Sequence, residues 1–452
     1  MKMKETVNYQ DKKVLVMGLA KSGKAAAYLL KSLGAQVLIN DQTPLDQNEA
    51  AKEMVAAGFD VLCGEHPVHL LDEGFEMIVK NPGIPYRKVP LLQEAIRRQI
   101  PILTEVELAY QISEAPFIGI TGSNGKTTTT TLIFEMLQVD QKHPLIAGNI
   151  GEVATLVAKS ATPDNVLVTE LSSFQLMGIQ TFKPTISLLL NITEAHLDYH
   201  TDLTEYQQAK LNLIKNQAVT DYCVYNAQDP IIVEGVKSTP AQKIPFSVHH
   251  KVDGAYIQDE MIYFKDEPIL SVHDVLLKGD HNLEDVLGAV AVCKLYGCET
   301  LAIQTVLKRF VGVKHRLQFV KEINGASYYN NSKATNSIAT EMALKAFTIP
   351  TILLAGGLDR GHDLSGLTPY LTHVKCLLCF GETKHRFAKL AEENHIEYEI
   401  FDTLDEVVLR ASQIAKPKDV VLLSPACASW DQYQTFEQRG DHFISLVDQL
   451  PN

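Results

Sequence analysis

The stretch IGITGSNGKTTTT, Ile118 to Thr130, decides how the chain is read. It passes from an apolar strand pattern straight into a helical one, with Gly125-Lys126-Thr127 at the junction. A triphosphate loop of the form G-x-x-x-x-G-K-[ST] needs its first glycine at 120, yet Ile120 stands there and the glycines fall at 119 and 122. The groups that do the chemistry are still in place. Such a loop must supply backbone N–H groups around the phosphates, a lysine for the outer phosphates and a hydroxyl for Mg²⁺. Lys126 and Thr127 supply the last two. A helix opening directly behind the loop turns its N–H groups and its dipole toward the anion. The segment Gly122, Ser123, Asn124, Gly125, Lys126, Thr127, with Thr128 behind it, is therefore assigned to a nucleotide triphosphate.

A second glycine loop, GLAKSGKA at 18–25, has both glycines and a lysine at the right spacing but ends in Ala25, which has no hydroxyl for a metal. It reads better as G-x-A-x-x-G between a strand and a helix, with Asp41 closing the next strand where an acid would bond a nucleotide ribose. That points to a dinucleotide or a nucleotide diphosphate. The alanine at its second glycine position crowds a pyrophosphate, and a plain βαβ turn is the alternative.

The chain has 452 residues, 46% of them hydrophobic and 21% charged, with a formal net charge of −13. Length predicts several domains, and the acidic balance argues against a nucleic-acid partner that needs a broad basic surface. No stretch approaches the ~18 apolar residues of a membrane span, and seven cysteines read as reduced thiols. A cytoplasmic protein without membrane insertion is expected. Short apolar runs alternate with helical patterns, the mark of parallel α/β domains. Three are expected: an N-terminal Rossmann-like domain over 1–112, a central P-loop-type domain with a parallel sheet over 113–312, and a C-terminal Rossmann-like α/β domain over 313–452. Cys376 and Cys379 have CxxC spacing inside an apolar strand pattern and read as core. Trp430, the one tryptophan, reads as packing.

Metal candidates follow from position. Glu170 ends the strand pattern VLVTE, where α/β sites gather. NITEAHLDYH offers Glu194, His196, Asp198 and His200, and Lys210 follows in a helical pattern. Mg²⁺ prefers oxygen ligands, and the 196/200 spacing hints at zinc without a third ligand.

Taken in order, TGSNGKTTTT, GNIG, ELSSFQL, NITEAHLD, AKLNL, GDHNLEDVLGA, KHRLQFV, NNSKATN, LAGGLDRG and LSPACASWDQYQTFEQRGDHF resemble the Mur ligases of peptidoglycan synthesis across essentially the whole chain. SKATN and SPACASWDQY are most similar to the D-glutamate-adding branch. The resemblance implies an ATP-dependent amide ligase that joins D-glutamate to the carboxylate of UDP-N-acetylmuramoyl-L-alanine through an acyl phosphate. It implies two Mg²⁺ ions, one with Thr127 and Glu170, the other with Glu170, His196 and a carbamylated Lys210. Lys126, Glu170, His196 and Lys210 would be the catalytic set. By the same resemblance the first loop takes the uridine diphosphate through Ala20, Lys21, Ser22, Asp41 and Gly83 of the Asn81-Pro82-Gly83 turn. Asn149, Gln175 and His196 meet the sugar or acyl end. Asn282 lies near adenine, and Arg316 and Asn331 near the ATP ribose. Lys333, Thr335, Arg360, Ser429 and Phe436 line the D-glutamate pocket. The chain departs from the family pattern in having Asn331 for an aspartate, Arg360 for a lysine and Asp285 for a second adenine-facing asparagine. A monomer is expected.

Four other readings compete. Within the same class stands a Mur ligase that adds another amino acid. A folylpolyglutamate synthetase would lack the Gly18–Asp41 domain. A nicotinamide-dependent dehydrogenase leaves Lys126 and Thr127 without work. A non-catalytic ATP switch leaves the anion-binding residues between Lys333 and Ser429 unexplained.

Overall fold

The computed structural model describes residues 8–193, 199–277, 280–361 and 363–451. The chain divides into two compact units, one ending at Phe310 and the other starting at Val311. Among the described residues the first unit holds two sheets and the second holds one.

The first sheet is built from β1 (Lys13–Met17), β2 (Gln36–Asp41), β3 (Asp60–Cys63), β4 (Met77–Lys80) and β5 (Ile102–Leu103) in the order β3-β2-β1-β4-β5, parallel throughout. Helices cover both faces of such a sheet, so its inner strands need unbroken apolar runs. VLVM of β1 and MIV of β4 meet that need. The order reverses between β1 and β4, which opens a crevice at their carboxyl ends, where α/β sheets bind ligands.

The second sheet comprises β6 (Phe117–Thr121), β7 (Pro144–Gly148), β8 (Val166–Glu170), β9 (Ile186–Leu189), β10 (Tyr222–Asn226), β11 (Gln242–Ser247), β12 (Ala255–Gln258), β13 (Met261–Phe264) and β14 (Glu267–Ser271). Its order is β14-β13-β12-β11-β10-β9-β6-β8-β7. The strands from β6 to β12 pair in parallel, while β12, β13 and β14 form an antiparallel meander. The meander extends one edge of the parallel sheet expected from sequence. Its first turn sits on Asp259 and Glu260, both at positive φ (49° and 59°), a conformation that aspartate tolerates better than most residues.

The helix Glu105–Ile112 joins these two sheets and is buried on nearly all sides. Its inward carboxylate, Glu107, accepts the N–H groups of Gln180, Thr181 and Phe182. Thr104 adds two bonds, from its N–H to the Gly178 carbonyl and from its hydroxyl to the Gln175 carbonyl. Glu107 and Thr104 thus meet partners across the junction, which avoids the ~1–3 kcal/mol that an orphaned buried polar group costs.

The third sheet comprises β15 (Gln318–Ile323), β16 (Ala326–Asn330), β17 (Thr351–Gly356), β18 (Val374–Phe380), β19 (Glu397–Ile400) and β20 (Val420–Leu423), ordered β15-β16-β20-β17-β18-β19. Only β15 runs antiparallel. Cys376 and Cys379 are buried in β18, and all seven cysteines are free. Among the described residues no helix is long and apolar enough to cross a membrane.

Candidate active site

The Gly122 loop leaves the carboxyl end of β6 and enters the helix Lys126–Val139. Gly125 is the N-cap at φ 80°, and no side chain caps the helix, so its first N–H groups point toward the loop unmasked. A Cβ at Gly125 would lie 2.0 Å from Asp285 Oδ1. Asp285 therefore lies directly against the backbone of the loop. The loop is anchored from β9: Ser123 N–H donates to the Asn191 carbonyl and Asn124 N–H to Asn191 Oδ1, both at 2.8 Å. Ser123 Oγ lies 2.8 Å from the Tyr206 hydroxyl. Asn191 and Tyr206 shape this loop, yet sequence reading passed over both, since nothing in their local pattern separates them from ordinary loop and helix residues.

Two lysines converge on one carbonyl. Lys126 Nζ donates to the Gly122 and Ser123 carbonyls at 2.8 and 2.9 Å, and Lys210 Nζ donates to the Gly122 carbonyl at 2.7 Å. Lys210 is buried. Burial pushes its amine well below the ordinary lysine range, the Lys126 charge lowers it further, and Glu170 partly offsets both. Glu170 ends β8, beside β6 and β7. Its Oε1 accepts from Asn149 Nδ2 at 2.7 Å, and its Oε2 is buried with no hydrogen-bond partner. A buried carboxylate oxygen left without a donor is costly unless a cation fills the gap. With Thr127 buried on the adjacent helix, this oxygen set fits Mg²⁺. Glu194, His196 and Asp198 lie outside the described residues. His200 faces elsewhere: its Nε2 is 2.9 Å from Ser173 Oγ, and its ring packs against Tyr199 and Tyr206. Gln175 caps its own short helix through Ser172, with its Oε1 accepting from the Ser172 N–H.

The first loop opens the helix Lys21–Ser32 from Ala20, again with no side-chain cap. A Cβ on Gly23 would meet the Gly18 carbonyl oxygen at 1.8 Å, so the loop closes only with glycine there. Asn81 Nδ2 reaches Ser22 Oγ at 3.3 Å, and Gly83 N–H donates to Asn81 Oδ1 at 3.0 Å. The structure thus brings Lys21, Ser22 and Gly83 to one crevice. Asp41 stands at its edge with its carboxylate already bonded to the N–H groups of Leu19 and Thr43 and to Asn48 Nδ2. It braces the loop whether or not a ribose is present.

In the second unit the predicted residues gather on the carboxyl ends of β16, β17 and β20. Lys333 N–H donates to the His315 carbonyl, next to Arg316. The Asn331 amide is engaged at both ends, by Leu317 N–H and by Ser424 Oγ. Lys333 Nζ stands 5.8 Å from the Phe436 ring centroid, and Thr335 N–H donates to the Lys333 carbonyl. Ser429 Oγ is buried without a partner. Trp430 corrects an expectation: it is 63% exposed, and the Arg360 guanidinium lies 4.4 Å from its ring centroid. A flat, delocalised cation stacks well on indole, so Trp430 orients Arg360 and does not serve as core.

Arg439 was not anticipated. It is fully buried and bonds through Nε to Ser332 Oγ, and through Nη2 to the Ser332 and Cys427 carbonyls. Its Nη1 has no hydrogen-bond partner, and burial pushes the guanidinium down to about 10, with Asp431 opposing. The side chain staples the loop of Lys333 and Thr335 to that of Ser429. An arginine inside the helical pattern FEQRGDHF reads from sequence as solvated.

The Mur ligase middle domain matches residues 120–293, and the Mur ligase glutamate ligase domain matches 315–427. The chain is 55% identical over 450 residues to a UDP-N-acetylmuramoylalanine–D-glutamate ligase of Bacillus cereus (strain G9842), covering 99% of this chain and 100% of the relative. The enzyme of the same name from Bacillus mycoides (strain KBAB4) gives the same identity and coverage. Among solved structures, UDP-N-acetylmuramate–alanine ligase of Thermotoga maritima superposes with a TM-score of 0.55 at 16% identity, covering 97% of this chain and 99% of that one. MurF of Acinetobacter baumannii superposes at 0.56 with 14% identity, covering 96% and 94%. These two speak for the fold alone. With both domains matched and more than half of all positions identical to full-length relatives, the chain belongs to the Mur ligase family.

Proposed function

We propose that this protein is an ATP-dependent ligase that joins D-glutamate to UDP-N-acetylmuramoyl-L-alanine in peptidoglycan precursor synthesis. The observation that carries the reading is the convergence of Lys126 and Lys210 on the Gly122 loop, with Glu170 close enough to act on the Lys210 charge. A free carboxylate is a poor acyl donor. Transfer of the γ-phosphoryl group to one carboxylate oxygen gives an acyl phosphate and releases ADP. The amine of D-glutamate then attacks the acyl carbon and loses a proton, and phosphate departs with the former carboxylate oxygen.

The residues divide this work. Lys126 and the uncapped helix N-terminus hold the phosphates and offset the charge that builds on them. Bound Mg²⁺ adds further neutralisation between the two anions. Thr127 and Glu170 are suited to one ion; Glu170, His196 and a carbamylated Lys210 to a second. A neutral amine is the form that captures CO₂, and burial beside Lys126 favours that form. The crevice with Ala20, Lys21, Ser22, Asp41 and Gly83 takes the uridine diphosphate, and Asn149 and Gln175 the acyl end. Asn282, Arg316 and Asn331 serve the nucleoside of ATP, Asn331 by fixing the backbone beside Arg316. Lys333, Thr335, Arg360, Ser429 and Phe436 hold D-glutamate, whose two carboxylates suit a guanidinium and a buried hydroxyl. Domains spanning 1–112, 113–312 and 313–452, a monomeric state and a cytoplasmic setting complete the reading. Phosphate release in the presence of ATP and Mg²⁺ tests it: release should require UDP-N-acetylmuramoyl-L-alanine and D-glutamate together. A faster rate with L-lysine or a diamino acid would reject the choice of acceptor.

A further inference from the structure

Lys80, at the carboxyl end of β4, is 1% exposed inside an otherwise apolar strand. Its Nζ lies 3.2, 3.1 and 2.8 Å from the carbonyl oxygens of Asn81, Pro82 and Ile84, and 3.0 Å from the Tyr199 hydroxyl. That hydroxyl in turn donates to the Pro82 carbonyl at 2.7 Å and lies 3.1 Å from that of Ile84. The Tyr86 ring covers the amine at 4.5 Å. Burial pushes the amine down to about 7. An apolar residue would suit β4 at no such cost, so the lysine is accounted for by what it holds.

Tyr199 belongs to the other side of the junction. Its ring centroid is 3.9 Å from that of Phe174, in the helix Ser173–Leu176 that follows Glu170. Both rings pack against His200, and His200 Nε2 meets Ser173 Oγ at 2.9 Å. A continuous set of contacts therefore runs from the Asn81–Ile84 turn, through Lys80 and Tyr199, to the helix three residues beyond Glu170.

We propose that Lys80 and Tyr199 are positioning residues that lock the Asn81–Ile84 turn to this helix, so that the first substrate is held in register with the ATP sheet. The proposal rests on the assignment of that turn to UDP-N-acetylmuramoyl-L-alanine. Removing the hydroxyl or the amine frees the turn without touching either ligand.

The test compares the parent with Tyr199→Phe and Lys80→Met by calorimetric titration with UDP-N-acetylmuramoyl-L-alanine and, separately, with ADP and Mg²⁺. Melting temperatures report folding. Tyr199→Phe should weaken the UDP substrate about 3–10-fold and Lys80→Met about 10–100-fold, as expected for a neutral and a charged hydrogen bond. ADP affinity should stay within about twofold of the parent, because the variants do not alter the Gly122 loop. The double variant should bind no more weakly than Lys80→Met alone, since both residues serve one contact. Folded variants that bind the UDP substrate as tightly as the parent overturn the proposal, and so does equal weakening of both ligands. Should Lys80→Met fail to fold, Tyr199→Phe carries the same two outcomes alone. A parent that does not bind the UDP substrate at all removes the functional reading itself and the proposal with it.

Discussion

Replacing Lys210 with methionine separates a residue kept for chemistry from one kept for folding. Methionine has a similar length and no charge, so the cavity stays filled. One hydrogen bond of 2.7 Å to the Gly122 carbonyl is lost, worth about 1 kcal/mol net. That carbonyl keeps its bond from Lys126, so no acceptor is orphaned. Against this loss stand the relief of burying an ammonium and of its repulsion by Lys126, the two causes that lower the Lys210 pKa. Each pKa unit of depression is about 1.4 kcal/mol. The relief acts against the lost bond, and Lys210→Met should fold at least as stably as the parent by urea unfolding. The pH dependence should change too. A lysine whose folded pKa lies below its unfolded value of 10.5 binds fewer protons in the fold. The parent therefore gains stability as pH rises toward 10.5, and the variant should lose up to about 1.4 kcal/mol per pH unit of that slope. Ligation, read as phosphate release, should fall by ~10²-fold or more. In Lys210→Ala, acetate or formate should restore part of the rate by occupying the vacated oxygen position. A destabilisation above about 3 kcal/mol, the cost of breaking a buried network, together with an activity loss matching the unfolded fraction, would refute the reasoning and make Lys210 structural.

Lys126→Ala should reduce ligation ~10²–10³-fold while isothermal titration still detects the UDP substrate at parental affinity; comparable loss of that binding means the two glycine loops are assigned the wrong way round. Arg439→Met removes the link between Ser332 and Cys427. It should raise the KM for D-glutamate about tenfold or more, with the KM for ATP unchanged, the size expected for losing one charged hydrogen bond; equal rises in both would mark Arg439 as general scaffolding. Burial raises the Glu105 carboxyl to about 7 from an unfolded value of 4.5. Such a group binds more protons in the fold than in the unfolded chain, so stability declines as pH rises from 4.5 to 7, by up to about 1.4 kcal/mol per unit. Glu105→Gln should flatten that decline and exceed the parent in stability above pH 7 by urea unfolding; an unchanged slope refutes it.

Much of the site was readable because local chemistry dictated it. Gly125, Lys126 and Thr127 follow an apolar strand and open a helix, the context a phosphate-binding loop requires. Glu170 was findable from its place at a strand end. What escaped the reading depends on distant contacts. Lys80 looks like the last, solvated residue of a strand until Tyr199, more than a hundred positions away, is brought beside it. Arg439 looks like a surface arginine on an amphipathic helix until the Ser332 and Cys427 loops close over it. Trp430 was misread because composition favours burial of indole, and its stacking partner Arg360 lies seventy residues upstream. The β12–β14 meander was missed because its alternating strands are short, and the turn at Asp259–Glu260 lacks the glycine that usually marks a hairpin.

Oxygen transfer tests the central claim most directly. UDP-N-acetylmuramoyl-L-alanine labelled with ¹⁸O in its free carboxylate is turned over with ATP, Mg²⁺ and D-glutamate, and the released phosphate is analysed by mass spectrometry. An acyl phosphate requires one carboxylate oxygen to leave with each phosphate, so the product should carry a single ¹⁸O for every amide formed. Phosphate free of label, or labelled phosphate formed without D-glutamate at the full rate, would contradict the account.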